Sequence, residues 1–169
     1  YILADGRQAI SLEELAMESY YSLGNSSVLT AEVSRQVKKN TVATGCCFAE
    51  VEVDMKLGKI KVLDIVNVHD SGILLNPQLA AMQVHGGMSM GMGCGLSEQL
   101  LLDEKTGRPL NGTLLDYKLM TTMDTPDLTA EFVELNDPMG PYGNKALGEP
   151  PAIPGAPAIR NAVLHATGI

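Results

Sequence analysis

The sequence predicts an α+β fold of mixed strands with packed helices, and three observations carry that expectation. Residues 43–55 and 59–70 alternate apolar and polar side chains, as half-buried strands do. Residues 76–96 are too long and too glycine-rich for a strand and open with Asn-Pro, a helix start. The elements then follow without a regular strand–helix–strand repeat, which argues against a doubly wound sheet.

Each element has its own warrant. "SLEELAMESYYSL" reads as an amphipathic helix, with Ser11 and Glu14 forming a capping box, Gly24 as the stop, and Leu12, Leu15, Ala16, Ser19 and Leu23 on one face. Residues 25–40 are polar and read as a long loop. "EVEVD" sets Val51 and Val53 against Glu50, Glu52 and Asp54, and the next run sets Ile60, Val62, Val66 and Val68 on one side. "KLGK" between the two suits a hairpin with one wet face. Asn76 caps the long helix and Pro77 opens it; Gly87, Gly91 and Gly95 recur every four residues along one face. Each glycine there costs about 1 kcal/mol relative to alanine, so something must approach that backbone closely. "LLLDEKTGRPLN" is expected as a strand and turn, "LTAEFVELND" as a strand, and "APAIRNAVLHATG" as a closing helix with Gly168 past its end.

Composition narrows the function. The chain has 169 residues and a formal net charge of −8, which disfavours nucleic acid and anionic membranes as partners because both call for a basic face. No stretch is long and apolar enough to span a bilayer, and a cytoplasmic protein is expected. The three cysteines, Cys46, Cys47 and Cys94, form no CxxC pair and are expected to be buried and reduced, with Cys46 and Cys47 on opposite faces of a strand. The abrupt ends predict one piece, residues 1–169, of a longer chain.

Several tempting motifs yield to plainer readings. "HGGMSMGMGCG" lies inside a predicted helix and has the wrong spacing for a dinucleotide loop. "HDSG" places His69, Asp70 and Ser71 side by side, which no catalytic triad tolerates; Asp70 bonding local backbone at a strand end is the expectation. His69, His85 and His165 share no metal-ligand spacing, and Met82, Met88, Met90 and Met92 are expected in the core. No metal-ligand set is encoded. Glu149 is harder to dismiss. It stands in "GNKALGEPPAIPG", where Gly148 leaves room for an approach and Pro150 and Pro151 stiffen the backbone. Two readings stand open: an acid that caps the following helix, or a fixed, half-buried general base.

Three pieces together carry a resemblance. Asp70 to Pro77 reads D-x-G-x-x-x-N-P, Gln83 to Gly87 reads Q-V-x-G-G, and Lys145 to Pro151 reads K-x-x-G-E-P-P. In this order and spacing the chain resembles the C-terminal part of the molybdenum subunit of the xanthine dehydrogenase and aldehyde oxidase family, the molybdenum hydroxylases. Over nearly its whole length it looks most like prokaryotic xanthine and hypoxanthine dehydrogenases. The resemblance implies the C-terminal lobe of a molybdopterin-binding domain, with Glu149 as the catalytic base and purine hydroxylation as the activity. It implies a molybdenum–molybdopterin cofactor, or its cytosine dinucleotide form, approached by Gly86, Gly87, Gly91, Lys145 and Gly148. Met90 stands where some members carry a cofactor-contacting glutamine. Iron–sulfur [2Fe–2S] and FAD groups would lie on partner subunits or other domains of an oligomeric enzyme, and residues 1–169 alone would be inactive. Aldehyde-, N-heterocycle- or carbon monoxide-oxidising relatives, and a domain that only binds cofactor or partners, are the alternatives.

Overall fold

The computed structural model describes residues 2–4, 8–21, 28–34, 36 and 39–169. They fall into two compact units, residues 1–36 and 37–169. In the first, strands β1 (Ile2–Ala4) and β2 (Gln8–Ile10) pair antiparallel. Helix α1 (Leu12–Tyr21) follows. Its capping box forms as the sequence requires: Ser11 N–H donates to Glu14 Oε2 at 2.9 Å and Glu14 N–H to Ser11 Oγ at 3.1 Å. Leu15 and Ser19 are half-buried, while Leu12 and Ala16 of the expected apolar face are exposed. Leu23 and Gly24, the expected end of this helix, lie outside the described residues.

The second unit is built on a three-stranded sheet in the order β3 (Thr44–Asp54), β4 (Lys59–Asp70), β5 (Asp127–Phe132). Strands β3 and β4 form the antiparallel hairpin that the alternation predicts. Strand β5 runs parallel to β4, with helix α2 (Pro77–Leu96) between them in sequence. One strand–helix–strand crossover is therefore present, without the regular repeat of a doubly wound sheet. Parallel neighbours need such a connection, since a tight turn cannot bring a strand back in the same direction.

A bulge decides what the sheet buries. Glu50 pairs with Asp64 and Val51 with Val62, which leaves Leu63 as an extra residue in β4. An added residue reverses the facing of every side chain beyond it. Val62 and Ile65 are thus both buried although three residues apart, and Asn67, His69 and Ser71 follow them into the interior. Val66 and Val68, expected on the core side, are only half-buried.

Helix α2 starts as expected, with Leu79 N–H donating to Asn76 Oδ1 at 3.0 Å and Pro77 at its first position. It buries Val84, Met88 and Met92 in a core with Val62, Ile65 and Ile159, the last from α3 (Gly155–Thr167). Met82 and Met90 are exposed instead, because the core-facing stripe runs through positions 84, 88 and 92. Helix α3 ends at Gly168 in the left-handed conformation, φ 74°. The expected strand at 100–111 is reduced to a single bridge, Leu102 to Pro109, around a turn held by Asp103. Among the cysteines, Cys46 and Cys94 are exposed, not buried, since Cys46 takes the wet face of β3. Cys47, on the opposite face, is half-buried, and burial raises its thiol pKa to about 11. Among the described residues, no helix is long and apolar enough to cross a membrane.

Candidate functional site

The end of β4 and the "GNKALGEPP" segment, distant in sequence, meet in space. Lys145 N–H donates to Ser71 O at 2.7 Å, Ile73 N–H donates to Gly143 O at 3.0 Å, and Gly72 bridges Asn144. Gly72 has φ 70°, and a side chain there would strike the Gly143 carbonyl, so glycine is required twice over. Two of the sequence motifs are thereby joined through backbone hydrogen bonds.

A side-chain contact reinforces the junction. Lys145 Nζ donates to Asp70 Oδ2 at 2.5 Å, and both side chains are nearly buried. Asp70 also accepts from the Gly72 N–H through Oδ1, the local backbone bond that the sequence suggested. The Lys145 ammonium, as hydrogen-bond donor, holds the Asp70 carboxyl below its ordinary pKa, and the Gly72 amide adds to this. Lys145, expected at a cofactor, has its charge shared with Asp70.

Glu149 follows on a short arm. Gly148 O accepts from Gln83 Nε2 at 2.9 Å, and Pro151 O accepts from Asn67 Nδ2 at 2.9 Å. Ala152 N–H donates to Glu149 O at 3.0 Å and closes the turn. The side chain of Glu149 is exposed, not half-buried as expected, because the turn directs it away from the core that holds Pro151. Helix α3 begins six residues later and has no side-chain cap. Glu149 therefore does not cap it, and the plainer of the two readings loses its support.

The glycine face of α2 explains why the arm lies where it does. A Cβ on Gly87 would sit 2.5 Å from Pro151 Cβ and 2.9 Å from Pro151 C. On Gly91 it would sit 2.7 Å from Ala152 O and 3.2 Å from Gly155 Cα, and on Gly95 3.1 Å from Ala156 Cα. The close neighbour of Gly87 and Gly91 is thus polypeptide, the arm and the start of α3, where a cofactor was expected. Gly86 and Gly148 differ: nothing described lies within 4 Å of either added Cβ.

Beside the arm is a cavity of about 270 Å³ whose wall includes Ser71, Leu79, Gln83, Asn144, Lys145 and Leu147. Ser71 Oγ is buried without a partner among the described residues. The wall is mainly apolar, with Ile73, Leu74 and Leu147 beside this Ser71 hydroxyl, and suits an organic group with a hydrogen-bonding edge. A larger cavity of about 810 Å³ lies between the start of β4 and residues 118–126 and holds none of the candidate site residues. Among the described residues, no group of three or more His, Cys, Asp and Glu side chains could hold a metal ion. A metal at this site would take its ligands from elsewhere. Sequence reasoning missed Asn67 and the role of Gln83. The signal for Gln83 was its place in Q-V-x-G-G; for Asn67 it was an amide among strand valines.

Known proteins share this sequence and this fold. Residues 2–126 match the molybdopterin cofactor-binding domain family. The chain is 50% identical over 160 residues to the xanthine dehydrogenase molybdenum-binding subunit of Escherichia coli O157:H7, covering 95% of this chain and 21% of that protein. It is 34% identical over 144 residues to the aldehyde oxidoreductase molybdenum-binding subunit PaoC of E. coli K12, covering 85% and 19%. The aldehyde oxidoreductase of Desulfovibrio gigas superposes with a TM-score of 0.67, at 31% identity over 75% of this chain and 14% of that one. The chain spans about a fifth of the length of the curated relatives it matches. With its own fold and motifs in agreement, the chain belongs to the molybdopterin cofactor-binding domain family.

Proposed function

We propose that this chain is part of the molybdenum-binding subunit of an oxidoreductase that hydroxylates purines, xanthine or hypoxanthine, with oxygen from water. One observation carries the reading. Glu149 is an acid with no structural task among the described residues, on an arm fixed by bonds on both sides of it. The 50% identity to a xanthine dehydrogenase subunit supports the purine as substrate.

The residues present fit the cofactor that the family uses. The buried Ser71 hydroxyl in the cavity wall would hydrogen-bond to it, Lys145 paired with Asp70 would fix the backbone beside it, and Gly86 and Gly148 leave room for its approach. When bound, the molybdenum cofactor would activate water and accept an electron pair from the substrate carbon. Glu149 does the proton work. Its carboxylate takes the proton of the attacking water-derived hydroxyl, which makes the oxygen nucleophilic toward an electron-poor ring carbon. The rigid arm fixes the backbone of Glu149 before substrate arrives, so only its side-chain torsions remain to be ordered in the transition state. Gly87 and Gly91 act through that arm by admitting Pro151 and Ala152. The cofactor is molybdenum–molybdopterin, plain or as its cytosine dinucleotide. Groups of the [2Fe–2S] and FAD type on partner subunits of an oligomeric cytoplasmic enzyme would supply the onward electron acceptors.

Aldehyde oxidation is the second reading, favoured by the likeness to two aldehyde oxidoreductases. The test is molybdenum per chain and turnover of xanthine and of an aromatic aldehyde, on the full-length enzyme, for wild type and Glu149→Gln. Unchanged metal with turnover reduced at least ~100-fold is expected. Near-normal turnover would remove Glu149 as the base. Aldehyde turnover without xanthine turnover would move the substrate to the second reading.

A further inference from the structure

We propose that Gln83 and Asn67 are positioning residues for Glu149, each holding one end of the arm that carries it. The proposal rests on Glu149 being the base.

The carboxylate of Glu149 has no hydrogen-bond partner among the described residues, so its placement comes from its backbone. Two side-chain amides fix that backbone. Gln83 reaches from α2 to the carbonyl just before Glu149, and Asn67 reaches from β4 to the carbonyl two residues after it, both at 2.9 Å. Pro151 is seated between them against Gly87, and the Ala152 amide closes the turn on Glu149 O. Both donors stand on regular elements, which hold a group more tightly than loops do.

Asn67 is the more telling of the two. It is fully buried in a row that begins with Val62 and Ile65 and continues with His69 and Ser71, and of these three polar side chains it alone has a hydrogen-bond partner among the described residues. Its Oδ1 has no partner among the described residues, so the amide gives up part of its hydration for the single bond from Nδ2. Core packing does not account for an amide there; the bond to Pro151 O does. Gln83 is exposed, and a bond in that setting adds little to stability. Its effect is on where the Gly148 carbonyl points. Misplacement of a catalytic group by about 1 Å costs up to ~100-fold in rate, so two bonds that fix the arm matter to turnover more than to folding.

The experiment uses the full-length holoenzyme with Gln83→Met and Asn67→Leu, which keep approximate volume and remove the donor. Turnover, KM, molybdenum content and hydrogen exchange of the Ala152 amide are measured, with Glu149→Gln as reference. Each variant should lose roughly 10-fold or more in kcat, with KM and molybdenum unchanged and Ala152 exchanging faster. Wild-type kcat in Gln83→Met, beside an inactive Glu149→Gln, would overturn the proposal while leaving the base in place. Faster exchange with unchanged kcat would overturn it too, since the bonds would then hold the arm without serving the reaction. Retained turnover in Glu149→Gln would sink the base reading, and this proposal with it. Should Asn67→Leu fail to fold, Gln83→Met on the exposed face decides alone.

Discussion

Gly87→Ala adds one methyl group at the tightest point behind the arm. The new Cβ would lie 2.5 Å from Pro151 Cβ, 2.9 Å from Pro151 C and 3.0 Å from Ala152 N. Carbon atoms in ordinary contact sit about 3.5–4.0 Å apart, so helix and arm must separate by roughly 1 Å. Pro151 cannot yield by turning a side chain: it is a ring, fully buried, and its carbonyl is bonded to Asn67. Overpacking of this kind costs about 1–3 kcal/mol, and the better helix propensity of alanine returns about 1 kcal/mol of that. A net loss of roughly 0–2 kcal/mol is therefore a modest change in stability. With Glu149 as the proposed base, the effect on chemistry is larger, because a shift of about 1 Å of a catalytic group costs up to ~100-fold in rate. The assay is turnover per bound molybdenum in the full-length enzyme, with hydrogen exchange of the Ala152 amide beside it. Gly86→Ala is the comparison for exchange, since its Cβ meets nothing described within 4 Å and should leave the Ala152 amide as protected as before. Wild-type turnover and exchange in Gly87→Ala would refute the close seating of the arm on α2.

Two further outcomes follow from the charges and the buried polar row. Lys145→Met strands the nearly buried Asp70 carboxylate and should cost on the order of 3 kcal/mol, whereas adding Asp70→Asn should recover part of that; a double-mutant cycle on thermal unfolding measures the coupling. For pH, His69 is almost fully buried and burial lowers its pKa, so the folded state favours the neutral ring. Its contribution is full above the unfolded value of about 6.5 and declines as pH falls from there toward the folded pKa. Asp70, also lowered, keeps its contribution until pH falls below about 3.9. Melting temperature from pH 7.5 to 5 should fall in the wild type and fall less in His69→Leu; equal slopes would contradict the buried neutral histidine.

The sequence by itself determined the local features. The capping box at Ser11 and Glu14, the Asn76 cap, the β3–β4 hairpin and the Gly168 helix end are all written in residues a few positions apart, and their hydrogen bonds form as that chemistry requires. The setting of Glu149 between glycine and two prolines was also visible, but its exposure was not. The tertiary structure alone decided what surrounds it. The extra residue Leu63 reverses the facing of β4, so Asn67, His69 and Ser71 turn inward in place of Val66 and Val68. Alternation cannot reveal that, since a bulge is set by pairing with another strand. The α2 glycines show the same limit. Their spacing announces a close neighbour, but only the packed chain names it as Pro151, Ala152 and the start of α3. Lys145 and Asp70, 75 residues apart, meet for the same reason: long-range contacts depend on how elements pack, and no short stretch of sequence encodes that by itself.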